Sequence, residues 1–324
     1  MSEQFLDRRA LKTIADQLIL ANLRVVTTFQ NLEGRPRESS FPFISGDTYR
    51  AFAARYFDLE FYKRFTAQAT DLPTYPEEKS AVIFVENILL RDLSARELFL
   101  SWVKLAPLSA EYRIVFANGD DPPDLELRKQ VIDLGHWIFS HNLQDGEERS
   151  VPIPLGLQNL THRKFGVLDD YLLLHDRNRH DLRRQARRSH SVFASFSVDS
   201  NVEARAPLAD LLGRSRFGVS LGKMSVREYR RRVLNTMFIP SPAGLGPDCY
   251  RTWEAIYLGA VPVLLKGTIA ESITSGAPIW VVDSWEELIN ASDDELLDRF
   301  SSIRAVGNRK ALFPYWSSAI SGQG

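Results

Sequence analysis

The stretch FIPSPAGLGPDCYRTWEAIYLGAVPVLL, residues 238–265, leaves the chain few ways to fold. Phe238 and Ile239 end an apolar run, and Pro240, Pro242, Gly244, Gly246 and Pro247 then interrupt regular structure and allow close backbone approach to something bound. Asp248 is an N-cap residue for a helix starting at Cys249, and Gly259 is a C′ stop. Val261 to Leu265 suits a buried parallel strand. The pattern predicts strand, turn, short helix and strand. Such a helix is too short to stand alone, and Trp253, Ile256 and Tyr257, at i, i+3 and i+4, form its packing face. Arg251 lies in the first turn, where a cation opposes the helix dipole. A bound anion, met by the guanidinium and the free N–H groups, resolves the conflict; a surface pair with Asp248 is the structural alternative. One turn on, Glu254 could accept hydrogen bonds from sugar hydroxyls.

Strand and helix patterns alternate on both sides of this unit. Residues 5–30 have helical spacing at Leu11, Ile14, Leu18 and Leu20. FPFISGDTYRAFAARYFDL at 41–59 turns at Ser45–Gly46 into a helix capped by Ser45 or Asp47, with Arg50 in its first turn, repeating the arrangement at Arg251. Strands are expected at 81–85, 112–118, 136–140 and 151–159. They end at Glu86, at Asn118-Gly119-Asp120-Asp121, at His141-Asn142, and at Gly156 and Asn159. Polar residues at successive strand ends predict a doubly wound sheet with a ligand crevice outside its carboxyl edge. The arginine-dense run 175–190 reads as a solvated linker. SVFASFS (191–197) and RFGVSL (216–221) read as strands, SVREYRRRVLNT as a helix with a Ser225/Glu228 capping box, and PIWVV as another strand. The expected organisation is a first domain over 1–170, a linker over 171–190, a second domain over 191–305 and a C-terminal helix over 306–324.

Composition narrows the function classes. A net charge of −1 gives no case for a nucleic-acid partner, although the arginine-dense run leaves peripheral membrane contact open. Cys249 is the one cysteine, and the six histidines show no HxxxH spacing, so neither a disulfide framework nor a metal site is expected. No signal-peptide core or apolar run of 18 residues occurs, and a cytoplasmic location is the default expectation.

The run GLGPDCYRTWEAIYLGAVPVL resembles the C-terminal signature of exostosin-like glycosyltransferases. In that signature a Gly-x-Gly-x-Asp-x-x-Arg-x-Trp-Glu-Ala segment precedes Leu-Gly and an apolar-Pro strand; here these are Gly244, Gly246, Asp248, Arg251, Trp253, Glu254, Ala255, Leu258, Gly259 and Pro262. It is similar, more distantly, to α-1,3-fucosyltransferases, where a Lys falls near the place of Arg251. Residues 41–48, 118–120, 141–142 and 154–159, Asn201 with Arg205, Asp283 with Trp285, and Tyr315–Trp316 resemble further blocks of bacterial and viral exostosin-like proteins. Ala243 departs from the family, which often has Pro or Arg there, and the first 40 residues are unlike it.

The resemblance implies a GT-B architecture, α/β with two Rossmann-like domains whose mostly parallel sheets face a cleft. It also implies a nucleotide-diphosphate sugar as co-substrate with no other cofactor, a glycan or other hydroxyl acceptor, metal independence and inversion. Donor contacts would fall to Arg251, Glu254, Gly244, Gly246, Asp248, Arg205 and Asn201. Asp47, Glu86, Asn118, Asn142 and Asn159 are acceptor-side candidates. Asp120 and His141 are the leading candidates for the base, with Glu86 and Asp47 behind them. A non-catalytic nucleotide- or carbohydrate-binding module is the competing class. A dinucleotide-dependent oxidoreductase fits poorly, because GLGPDC lacks the third glycine of a GxGxxG turn.

Overall fold

The structure is a computed structural model that describes residues 29–30, 36–37, 39–67, 81–107, 109–160, 171, 188–222 and 224–322. The helical pattern at 5–30, apart from its last two residues, lies outside this set, as does the arginine-dense run up to residue 187. Strand β1 (Phe29–Gln30) pairs antiparallel with β2 (Pro36–Arg37). Helix α1 (Gly46–Phe52) is capped by Ser45, whose Oγ accepts from the Thr48 amide at 3.1 Å. It is shorter than the sequence pattern predicts. The aromatic pair Tyr56 and Phe57 instead enters strand β3 (Arg55–Phe57), in register with Ile83 to Val85 of the next strand. Arg50 consequently stands in the last turn of α1 and pairs with Asp58, so its likeness to Arg251 does not hold.

The first half continues through α2 (Leu59–Ala67), β4 (Val82–Glu86), α3 (Leu93–Val103), β5 (Arg113–Ala117), α4 (Leu125–Asp133), β6 (Trp137–Ser140) and β7 (Ser150–Pro152). The second runs through β8 (His190–Val192), α5 (Val202–Gly213), α6 (Val226–Leu234), β9 (Thr236–Pro240), α7 (Tyr250–Tyr257), β10 (Val261–Leu265), α8 (Glu271–Thr274), β11 (Trp280–Val282), α9 (Trp285–Asn290), α10 (Asp293–Ala305) and α11 (Phe313–Ser321). RFGVSL is not a strand; it makes one bridge, Ser195 to Ser220. Of SVFASFS, only Ser191 and Val192 lie in a strand, β8. Ser225 caps α6, but the Glu228 carboxylate binds Arg231 and Arg232 rather than reaching back to close a capping box.

The chain is α/β with two all-parallel sheets, ordered β3-β4-β5-β6-β7 and β11-β10-β9-β8. Among the described residues the strand order in each sheet follows the chain and never reverses, so the sheets are not doubly wound and contain no switch point. The core composition shows the consequence. Ile83, Val85, Ile114, Phe116 and Ile138 pack with Phe61 of α2, Phe99 and Trp102 of α3, and Leu127 and Val131 of α4. Consecutive crossovers of one hand have placed all three helices on one face.

The opposite face, carrying Phe84, Val115 and Phe139, is covered by Tyr49 of α1, by α7, and by Phe313, Trp316 and Ile320 of α11. Helix α11 therefore packs on the first half, anchored where the Phe313 amide donates to the Pro42 carbonyl at 2.9 Å. Helix α7 is buried from Thr252 through Tyr257 and lies in a core shared by both sheets. The Tyr257 ring meets Phe43 at 4.5 Å, and its hydroxyl accepts from the Ile44 amide at 3.3 Å and donates to the Ala311 carbonyl at 2.6 Å. Among the described residues no helix is long and apolar enough to cross a membrane.

His136, at the start of β6, is 1% exposed, lies 5.4 Å from the Tyr112 ring, and has neither ring nitrogen hydrogen-bonded among the described residues. Burial lowers its pKa to about 4. An unfolded imidazole titrates near about 6.5, so between roughly 6.5 and 4 the unfolded chain binds a proton that the folded chain refuses. Stability is therefore lost as pH falls through this window, by on the order of 3 kcal/mol. His136→Phe should flatten that part of the pH dependence in urea melts; an unchanged slope would contradict the assignment.

Candidate functional site

The loop from Ser241 to Cys249 leaves β9 at its carboxyl end and enters α7. Asn201 caps α5, accepting from the Ala204 amide at 3.1 Å, and its Nδ2 donates to the Gly244 carbonyl at 3.0 Å. Arg205, 5% exposed, holds the same loop: Nε donates to the Ala243 carbonyl at 2.8 Å and Nη1 to the Ser197 carbonyl at 2.7 Å. Burial and the neighbouring Arg251 both lower the Arg205 pKa. Arg251 donates through Nε to the Ser195 carbonyl at 3.1 Å, and its two terminal nitrogens have no partner among the described residues. Both guanidinium carbons lie 5.9 Å from the centre of the Phe196 ring. Neither arginine forms an ion pair among the described residues, so the surface pair of Arg251 with Asp248 is not made.

The loop glycines serve close packing within the protein. A Cβ on Gly244 would stand 2.7 Å from Arg205 Nη2. One on Gly246 would stand 2.5 Å from the Asp120 carbonyl oxygen and 2.7 Å from Asn142 Nδ2. The second-half loop is thus pressed directly on a strand end of the first half. The expectation that these glycines clear space for a diphosphate is replaced by this contact.

Asp248 is not the N-cap. Cys249 holds that position, and no side chain caps α7. The Asp248 carboxylate turns into the interface, where it accepts from Trp253 Nε1 at 2.9 and 3.0 Å and from the Leu155 amide at 2.8 Å. A donor from the other half outcompetes the local cap. Burial pushes its pKa up to about 7, against these hydrogen bonds. The folded state then holds the proton more tightly than the unfolded state, so this group's contribution to stability declines as pH rises from about 4 to about 7. Asp248→Asn, a neutral isostere, should therefore remove this decline between about pH 4 and pH 7, measured by urea unfolding across that range. An unchanged pH dependence would contradict this reading of the interface.

Glu254 is 8% exposed and accepts from the Tyr171 hydroxyl at 3.3 Å. Burial raises its pKa, while Arg251 and Arg230 lower it. It is held among protein groups beneath Arg251, rather than presented to a sugar as the sequence suggested.

A cavity of about 700 Å³ opens at the carboxyl ends of β3, β4 and β5. Asp47, Glu86, Asn118, Asp120 and Asn159 line it, together with Asp58, Arg50, Lys63, Phe84 and Ile88. From the second half comes Tyr250, the first residue of α7, 39% exposed and next in sequence to Arg251. Several of these polar groups are already engaged. Asp47 accepts from the Leu160 amide at 2.7 Å, Glu86 from the Leu59 amide at 3.1 Å, and Asn159 donates to Asn118 Oδ1 at 2.9 Å. The Asp120 carboxylate has no hydrogen-bond or ion-pair partner among the described residues.

The turn that carries Asp120 is held from its backbone. His141, 1% exposed, donates from Nε2 to the Gly119 carbonyl; burial lowers its pKa and this bond opposes the shift. Asn142 donates to the Asp120 carbonyl at 2.6 Å. Neither His141 nor Asn142 lines the cavity. The structure therefore gives His141 a structural bond where the sequence made it a candidate base. Asn118 and Asn142 adopt φ of 60° and 64°, a left-handed conformation that asparagine tolerates at such strand ends. Sequence reasoning missed Tyr250, although it adjoins Arg251. It also missed Asp58 and Lys63, which only the unforeseen β3 brings to the cavity.

These features define a two-sheet parallel α/β protein in which a loop flanked by Arg205 and Arg251 abuts a cavity lined by acidic residues. No known protein-family model matches the chain, and no curated protein is significantly similar to it in sequence. The exostosin-like resemblance stands on its motif residues alone.

Proposed function

We propose that the protein is a glycosyltransferase of GT-B type that moves a sugar from a nucleotide-diphosphate sugar to a hydroxyl acceptor. The observation that carries this reading is the Arg205–Arg251 pair. Two neighbouring guanidiniums stand at the carboxyl edge of the second sheet beside a helix start that no side chain caps; neither forms a salt bridge among the described residues, and Glu254 feels the charge of Arg251 without pairing with it. Unpaired cations shielded from water are costly, and a diphosphate meeting Arg251 and the α7 amides would offset that cost. Arg205, already bound to carbonyls, mainly fixes the loop and adds positive potential.

In this mechanism the acceptor binds in the 700 Å³ cavity with its hydroxyl against Asp120. Asp120 takes the hydroxyl proton as the acceptor oxygen bonds to the anomeric carbon. The bond from that carbon to the diphosphate breaks on the opposite side, which inverts the centre. The electron pair leaves on the nucleoside diphosphate, where Arg251 and the helix N-terminus stabilise the charge. The test is release of nucleoside diphosphate from UDP- and GDP-hexoses and hexosamines, with and without oligosaccharide acceptors. One donor class should turn over, faster with an acceptor. Binding without turnover would move the protein to the non-catalytic class.

A further inference from the structure

One carboxamide joins the two halves of the site. Asn142 Nδ2 donates to the Asp120 carbonyl at 2.6 Å, and its Oδ1 accepts from the Asp248 amide at 2.8 Å. Asp120 belongs to the turn after β5, and Asp248 is the second residue before α7. Gly246 presses on the same Asp120 carbonyl and on Asn142 Nδ2 from the second half. The bridge is thus a short rigid path between the turn bearing the unpartnered carboxylate and the loop that leads into Arg251.

We propose that Asn142 is a positioning residue that couples the Asp120 turn to the loop entering α7, setting the distance from the base to the donor; this rests on the reading of Asp120 as the base. Its chemistry suits the task. A carboxamide offers a donor and an acceptor at once, which neither a carboxylate nor a hydrocarbon can do. Coupling through such a link is reciprocal, so a change on either side must be felt on the other.

The test compares amide hydrogen exchange in the unliganded full chain with that of three variants. Asn142→Gly keeps the left-handed backbone accessible and removes both bonds. Exchange should rise at least tenfold at residues 118–121 and at 246–249 together, while amides inside β4 and β5 stay protected. Asn142→Asp keeps the acceptor for the Asp248 amide and loses the donor, so only 118–121 should loosen. Gly246→Ala, which lies in the other half, should also loosen 118–121. Changes confined to the altered residue's own segment would overturn the proposal.

On a donor that turns over, Asn142→Gly should lower kcat at least tenfold with donor KM within threefold of wild type. A raised KM with unchanged kcat would overturn the positioning role. If no nucleotide sugar turns over, the transferase reading fails, and the exchange comparison still decides whether the halves are coupled.

Discussion

Arg251→Ala is expected to lower turnover of the preferred nucleotide sugar by at least a hundredfold while the protein keeps its fold. The magnitude follows from removing a preorganised cationic donor where charge develops on a leaving group, which typically costs about 10²–10³ in rate. The fold should survive because the side chain makes one hydrogen bond among the described residues, to Ser195, and is half-buried. Arg205→Ala is a poorer probe, since it would also free the Ala243 and Ser197 carbonyls and loosen the loop. Arg251→Lys should recover part of the activity, because a point charge still meets phosphate but without the planar fork. Steady-state kinetics with a parallel thermal melt separate the two effects. Turnover within threefold of wild type would remove Arg251 from the donor site.

The second large effect is expected at Asp120. Asp120→Asn keeps the shape of the side chain and removes its basicity, so turnover should fall about 10²–10⁴-fold, the usual contribution of a positioned general base. Donor binding should be unchanged, because the Asp120 carboxylate has no hydrogen-bond or ion-pair partner among the described residues to lose. His141→Gln should behave differently. The Gly119 bond can be partly kept by an amide donor, and any loss should follow disturbance of the turn rather than loss of a titrating group. An Asp120→Asn enzyme with near-wild-type turnover would transfer the role of base elsewhere on the cavity wall.

The parts legible in the sequence are those set by local chemistry. Prolines and glycines at 240–247, the stop at Gly259 and the apolar run at 261–265 placed the β9-α7-β10 unit within two residues of its observed bounds. The cation at Arg251 is visible because it violates the dipole preference of a helix start, and the structure gives it no salt bridge among the described residues. Glu86, Asn118, Asp120 and Asn159 read as strand-end polar residues and Asp47 as a helix-cap candidate, and all five line one cavity.

The misreadings come from partners distant in sequence. Asp248 has the chemistry of an N-cap, but Leu155 from the other half claims its carboxylate. His141 looks like a base by type, and only the fold shows its nitrogen bound to Gly119, 22 residues earlier. Gly246 reads as a ligand-binding glycine and is required by the Asp120 carbonyl instead. Strand order, too, depends on which neighbour a strand finds. Alternating patterns cannot distinguish a sheet that reverses its order from one that follows the chain.

The most direct measurement is calorimetric titration of the wild type and of Arg251→Ala with UDP, GDP and ADP. At least one nucleoside diphosphate should bind the wild type, and the variant should bind it at least fiftyfold more weakly with no loss of folded protein. Equal affinity in the two proteins, or no binding of any of the three to the wild type, would contradict the placement of the donor diphosphate at Arg251.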